Sequence, residues 1–231
     1  MQDKPRGLFI TGTDTDVGKT YVGCLIARSL REAGYKVGVY KPAASGCRLV
    51  DGELVSDDAL ALWKAAGRPG RLADVCSQCF AAPLAPHLAA IAEGRALSAS
   101  QMREGFAAWR GACDVLLVEG AGGLMSPLGD DDYNATLAEE FGLPLVIVAP
   151  NKLGTISQTL QTLIAAAAWG EGLPVAGIVL SHPTTAAGGD PSIATNRREL
   201  ELRAVPPVLA EAHHGAERFD AEVEWHALCG Q

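Results

Sequence analysis

Residues 7–20 read GLFITGTDTDVGKT. Gly7 to Thr11 is a short apolar run of the kind that forms a buried strand, and it ends in a loop of glycine and small polar residues. Beyond Gly18 the pattern turns helical, with Lys19 near the start and Gly34 placed to close the helix after about Ala33. Small residues let a backbone curl until successive N–H groups point inward as an anion nest. The partial positive charge of a helix N-terminus adds to that field. Asp16, Val17, Gly18, Lys19, Thr20 and Tyr21 are therefore expected to hold phosphate groups.

Strand, loop and helix in this order form the context of a P-loop, here Gly12 to Thr20. Lys19 is expected to reach the β- and γ-phosphates of a nucleoside triphosphate, and Thr20 to place its hydroxyl on Mg2+. The spacing is G-x5-G-K-T, one residue longer than the usual G-x4-G-K-[S/T], so Thr13 stands where the first glycine normally stands.

Working outward, Val37–Tyr40, Val115–Glu119, Leu145–Ala149 and Val175–Leu180 are uniformly apolar and read as buried strands. Helices are expected between them. One is Asp57–Ala66, with Ser56 as N-cap and Gly67 past its end; the others are Ser98–Arg110 and Thr155–Ala168. Ala81–Pro86 is broken by prolines and reads as loop, as does 181–192. Helices alternating with wholly hydrophobic strands indicate an α/β fold: a three-layer sandwich of P-loop NTPase type, mostly parallel, with helices on both faces of the sheet. No repeat or linker divides the 231 residues, so 1–231 is expected to be one domain.

Composition narrows the function. A hydrophobic share of 48% can fill a large core, and with only 6% aromatic residues that core is built mainly from Ala, Gly, Val and Leu. The net charge of -8 argues against a nucleic-acid partner, which calls for a basic patch. No apolar run approaches the ~20 residues of a membrane span, and Met1 to Gly7 lacks a secretory h-region, so no membrane association and a cytoplasmic location are expected. Six cysteines fit free thiols. Cys76 and Cys79 form one CxxC pair without the further ligands that a zinc site needs, and read as two thiols near a turn.

Three further motifs sit where an α/β sheet binds ligands, at the carboxyl ends of its strands. Lys41 opens KPAASG (41–46) after the second strand and can face the γ-phosphate or an anionic intermediate. Asp57-Asp58 begins a helix, as a favourable charge at its N-terminus or as an oxygen ligand for Mg2+. Glu119 ends VLLVE and is followed by Gly120, Ala121, Gly122 and Gly123, an acid that can support Mg2+ and glycines that let backbone approach a ligand. His87, His213, His214 and His226 carry weaker signals; the paired ones read as surface residues and His87 as a turn histidine held by backbone.

GTDTDVGKT, KPAASG, SDDALAL, APLAPH, VEGAGG and NKLGT, in this order and spacing, resemble the dethiobiotin synthetases. The likeness is strongest from Phe9 to Trp63 and from Val115 to Leu180. It implies an ATP-dependent ring closure: one amine of 7,8-diaminopelargonic acid becomes a carbamate with CO2, the carbamate attacks the γ-phosphate of Mg-ATP, and the second amine closes the cyclic urea. Carried over, Lys41 and Lys19 look catalytic and Ser45 looks like a substrate contact. Thr20, Asp58 and Glu119 look like ligands of both Mg2+ and ATP. Gly120, Ala121 and Gly122 would border the nucleotide, with Ser181 and His182 on its base side. The resemblance also implies a homodimer in which the substrate tail reaches the partner near Gly154 and Thr155, at a helix start whose free amides can hold a carboxylate.

Two departures fall on the base side: Ser181-His182 replaces the family's frequent Asn-Asp, and Ala210-Glu211-Ala212-His213 replaces its G-x-I-P. They leave the preferred base open. Rival families fit less well. A cobyrinic acid amide synthase needs a glutaminase domain, for which no residues remain. A partitioning ATPase, the nucleotide-switch alternative, carries a signature lysine where this loop has Asp14, and Glu217, Asp220, Glu222 and Glu224 give the C-terminal segment the wrong charge for anionic lipid. Lys41→Ala is expected to abolish turnover with the fold intact, and Lys19→Ala to lose both nucleotide affinity and turnover.

Overall fold

In a computed structural model, described for residues 5–182 and 190–230, the chain alternates strand and helix. The order is β1 (Gly7–Gly12), α1 (Lys19–Glu32), β2 (Val37–Tyr40), β3 (Arg48–Val50), β4 (Glu53–Val55), α2 (Asp57–Ala65), α3 (Leu72–Val75), α4 (Pro86–Ala92) and α5 (Ala99–Ala107). Then follow β5 (Val115–Gly123), α6 (Asn134–Phe141), β6 (Leu145–Pro150), α7 (Thr155–Ala168), β7 (Val175–Ser181), α8 (Ile193–Arg203), β8 (Val208–Ala212) and α9 (Trp225–Leu228).

Six strands form one parallel sheet in the order β2-β5-β1-β6-β7-β8. Every residue of β1, β2 and β6 is buried, which requires helices on both faces. Helix α1 packs on β1 and β5 and against α2 and α9, while α7 covers β6 and touches α8. The expected fold class is the one observed. A strand and its parallel neighbour need a crossover, so the loops that leave the carboxyl ends of the strands collect along one edge. Register sets what meets there: Tyr40 lies beside Val118 and Ile10 beside Glu119, so Lys41, Glu119 and the loop after Gly12 converge.

Local signals place the elements. Gly34 and Gly67 take positive φ just past α1 and α2. The Ser56 hydroxyl accepts from Ala59 N–H at 3.2 Å and starts α2, which carries Asp57 and Asp58 in its first turn. Two boundaries differ from expectation by more than one residue. β5 runs on through Gly120–Gly123 instead of ending at Glu119, because Gly12 pairs with Gly123 after a register shift. α5 stops at Ala107, short of Arg110. Of the expected loop at 181–192, residues 183–189 lie outside those described.

Replacing Ser56 with Ala removes the cap of the helix that presents Asp58. It is expected to lower stability by about 1 kcal/mol, read as a reduced urea midpoint at unchanged m-value.

Candidate active site

The loop after β1 is shaped by Gly12 and by two left-handed residues, Asp16 (φ 55) and Gly18 (φ 91). A Cβ on Gly12 would lie 2.6 Å from the Asp14 carbonyl oxygen and 2.7 Å from Val17 Cγ2, so only glycine permits this curl. Lys19 folds back over the loop and donates from Nζ to the Asp14 carbonyl at 3.1 Å. The Ser181 hydroxyl, at the tip of β7, donates to the Val17 carbonyl and anchors the loop from the neighbouring strand.

Beside this loop lies a cleft of about 400 Å³ lined by Thr15, Asp16, Gly18, Lys19, Thr20, Lys41, Ala44, Ser45, Asp58, Ala121 and Gly122. On its floor the Lys41 ammonium, only 4% exposed, lies 2.5 Å from Glu119 Oε1 and 2.9 Å from Asp58 Oδ2. Thr20 Oγ1 donates to the same Glu119 oxygen at 2.9 Å. Asp57 points away and pairs with Arg48 at 2.6 Å on the surface, so of the two acids Asp58 faces the cleft.

The electrostatics follow from burial and charge. Burial would lower the Lys41 pKa, but Glu119 and Asp58 outweigh it and hold the ammonium well above the usual lysine range. Burial lowers the Lys19 pKa; Glu119 opposes that shift, while the Lys41 charge adds to it. Burial would raise Asp58, but Lys41 and Thr20 draw it below the usual carboxylate range. Two cations and two carboxylates thus share one cleft, an arrangement suited to a polyanion together with a metal.

A divalent ion fits the residues present. Glu119 is 1% exposed, and its Oε2 has no hydrogen-bond partner. An ionised oxygen without a partner is costly unless a cation or donor meets it. Mg2+ favours oxygen ligands, and Thr20, Asp58 and Glu119 offer a hydroxyl and two carboxylates side by side.

A protein-family model described as an AAA domain matches residues 6–224. Over 213 residues the chain is 43% identical to the ATP-dependent dethiobiotin synthetase BioD of Rhodopirellula baltica, covering 87% of this chain and 82% of that one. Its identity to the same enzyme of Aromatoleum aromaticum is 36% over 221 residues, covering 95% and 96%. The chain belongs to the dethiobiotin synthetase family. Among solved structures, the signal recognition particle receptor FtsY of Elizabethkingia anophelis superposes with a TM-score of 0.53 at 15% identity, over 98% of this chain and 64% of that one; this likeness is of fold alone.

Of the residues singled out from the dethiobiotin synthetase motifs, Asp16, Gly18, Lys19, Thr20, Lys41, Ser45, Asp58, Ala121 and Gly122 line the cleft, and Glu119 forms its buried floor. Val17 and Gly120 are structural neighbours. Val17 packs under Gly12, and a Cβ on Gly120 would meet Asn134 Oδ1 at 2.6 Å. Gly154 and Thr155 do not line this cleft; Gly154 (φ 96) opens α7 with free space around it, and Thr155 is buried.

The positions that the resemblance puts on the base side form a second cluster. Tyr21 donates from its hydroxyl to the His213 carbonyl at 2.8 Å, which ties α1 to the segment after β8. His182 Nε2 lies 2.7 Å from Glu211 Oε2, and its ring stacks on His213 with centroids 4.4 Å apart. Ser181 is buried and committed to the loop, so its side chain is not offered to a base. His87 meets the Pro127 carbonyl at 3.1 Å, held by backbone as expected, but it sits in the first turn of α4 and not in a loop.

The motifs did not disclose Asn134. It is fully buried, donates at 2.7 Å to the carbonyls of Ala121 and Gly123, and accepts from Ala121 N–H at 3.2 Å, so it holds the glycine strip in place. A polar residue opening a helix, 15 positions after Glu119, carries no local signature.

The geometry revises one expectation. Lys41→Ala leaves the buried Glu119 without its cation, so the fold is not expected to be untouched: stability should fall by about 3 kcal/mol along with the loss of turnover. Calorimetry of the variant checks this, and an unchanged Tm would contradict it. A second prediction concerns acid. Because the folded-state pKa of Asp58 is depressed, its contribution is present above the unfolded value of about 3.9 and is lost as pH falls through the folded value. The stability gap between the native chain and Asp58→Asn should therefore shrink between about pH 5 and pH 2, measured by urea unfolding across that range.

Proposed function

We propose that this chain is an ATP-dependent dethiobiotin synthetase: a Mg-dependent cyclo-ligase that joins 7,8-diaminopelargonic acid and CO2 into the cyclic urea of dethiobiotin, releasing ADP and phosphate. One observation carries the reading: the buried Lys41 ammonium, clamped by Glu119 and Asp58 at the foot of the phosphate loop, in a chain whose relatives bear this enzyme's name.

Each residue then has a task. The amides of 12–20 and the Lys19 ammonium bind the β- and γ-phosphates. Thr20, Asp58 and Glu119 hold Mg2+, which when bound neutralises the charge that develops on the phosphoryl oxygens. Lys41, always charged in this setting, faces the γ-phosphate and the incoming carbamate and brings two anions together that would otherwise repel. Ser45, on the same wall as Lys41, contacts the substrate. Phosphoryl transfer needs mainly such positioning and neutralisation. Once the carbamate oxygen carries phosphate, attack by the second amine closes the ring and expels phosphate.

The chain acts in the cytoplasm, as its six free thiols support, and none of its described helices is long and apolar enough to cross a membrane. It works as a homodimer in which the start of α7 at Gly154, rather than the buried Thr155, receives the substrate carboxylate of the partner's site. Leu153 at 79% and Ile164 at 67% exposure leave apolar surface on that side for a second copy. Ultracentrifugation should give the mass of two chains.

Phosphate release from Mg-ATP and bicarbonate, with and without the diamine, tests the reading. Release should require the diamine, and Lys19→Ala should weaken nucleotide binding and turnover together. Diamine-independent hydrolysis would favour a nucleotide switch. Repeating the assay with CTP and GTP ranks the bases that the His182, Glu211 and His213 cluster accepts.

A further inference from the structure

Three of the six cysteines meet outside the cleft. Cys76 and Cys79 follow α3, with sulfurs 3.7 Å apart, and the Cys47 thiol also contacts the Cys79 sulfur. They come from segments distant in sequence and joined by backbone hydrogen bonds. Ala44 N–H donates to the Gln78 carbonyl at 2.9 Å, and Phe80 and Cys47 N–H groups donate to Ala44 and Phe80 carbonyls at 2.9 Å. Cys47 and Cys76 are buried, whereas Cys79 is half-buried; Cys76 and Cys79 both line a separate cavity of about 680 Å³ that includes Ser56, Glu53 and Arg95, and Cys79 is the more exposed of the two.

We propose that Cys79 is a reactive site for hydroperoxides and that its oxidation closes a Cys76–Cys79 disulfide which displaces the Lys41 loop. Three features select Cys79 from the six. It is reachable through a cavity that shares no lining residue with the cleft beside the loop after β1. The Cys47 and Cys76 sulfurs lie within hydrogen-bonding reach of it, which draws its thiol well below the usual range while theirs rise, so Cys79 is the thiol that this cluster favours as thiolate. Arg95, which donates to the Cys79 carbonyl at 3.0 Å and is itself paired with Glu93 at 3.2 Å, adds positive charge; Glu53 lines the same cavity, and Lys41 acts on Cys47 and Cys76. The remaining thiols differ: burial raises Cys24 to about 12 and Cys113 and Cys229 to about 11.

The chemistry balances in two steps. The Cys79 thiolate attacks one peroxide oxygen, the O–O bond breaks, and the other oxygen leaves as alkoxide, which takes a proton from water; Cys79 becomes a sulfenic acid. The Cys76 sulfur then attacks Cys79, the S–S bond forms, the S–O bond breaks, and the oxygen departs as water with the Cys76 proton. The two sulfurs lose two electrons and the hydroperoxide gains them. Closing the gap from 3.7 Å to the ~2.05 Å of a disulfide pulls on the segment 76–79. That segment is bonded to the Lys41 loop, and Lys41 N–H itself donates to the Val75 carbonyl at 2.8 Å. Reversible oxidation of this kind suits a thiol in a reducing compartment, where disulfides are transient.

The test is peptide mapping of the full chain after brief exposure to tert-butyl hydroperoxide, unreduced and without substrate, so that it does not depend on the assigned reaction. A Cys76–Cys79 linkage should appear first, with Cys24 and Cys113 still reduced. In Cys76→Ser, Cys79 should instead be trapped by dimedone as the sulfenic acid. Alkylation of native Cys79 by iodoacetamide should be nearly flat from about pH 5 to pH 8, while Cys113 should speed up about tenfold per pH unit. In the ring-closing assay, oxidation should lower kcat and dithiothreitol should restore it. Oxidation spread evenly over the six thiols, or a first linkage that omits Cys79, overturns the proposal.

Discussion

A buried ammonium between two carboxylates organises this molecule. Removing Lys41 and Glu119 from water carries a large desolvation penalty, which their attraction offsets only because the geometry is close and Asp58 and Thr20 satisfy further valences. Such an arrangement is weak as a source of stability. Its value is that it fixes charges, with no reorganisation needed, where a triphosphate and a metal would lie. The sheet makes it possible: parallel register sets the end of β2 beside the end of β5, and both beside the loop after β1.

Around that centre, polar groups act mainly as braces. Ser181 holds the phosphate loop from β7, Asn134 holds the glycine strip after Glu119, and Ser56 starts the helix that delivers Asp58. Each bonds to backbone, so each fixes chain path and leaves the charged side chains to face the cleft. The cluster at the ends of β7 and β8 is built differently. His182, Glu211 and His213 interact chiefly with one another, and Tyr21 secures the segment that carries His213. The braced cleft and this side-chain cluster are thus separate constructions on neighbouring strand tips.

The sequence disclosed what local physics writes strongly. β1, β2, β5, β6 and β7 are apolar runs because both faces of the sheet are covered, and Ser56, Gly34 and Gly67 mark helix ends through capping and positive φ. Lys19, Lys41, Asp58 and Glu119 were legible because each stands in a motif at a strand tip or helix start. Other elements carry weaker signals. α8 reads IATNRRELELR and buries only Asn196 and Leu200, so no apolar stripe reveals it. The hairpin β3–β4 has an Asp51-Gly52 turn with both φ positive, yet its strands are three residues long and largely exposed. The commitment of Ser181 to the Val17 carbonyl and the bracing by Asn134 depend on contacts distant in sequence, which no local pattern encodes. The burial of the Lys41–Glu119 pair was equally hidden: the motif marks a lysine and an acid, and only the sheet register shows that they meet.

In the proposed reaction, the cleft joins a carbamate to the γ-phosphate. The most direct measurement is a short turnover with Mg-ATP, the diamine and bicarbonate labelled with oxygen-18, sampled before the label exchanges with water. The carbamate route predicts that each released phosphate carries one labelled oxygen, taken from the carbamate as the ring closes. Phosphate without label would mean that water attacks the nucleotide, and would contradict the assignment of Lys41 and its carboxylates to ring closure.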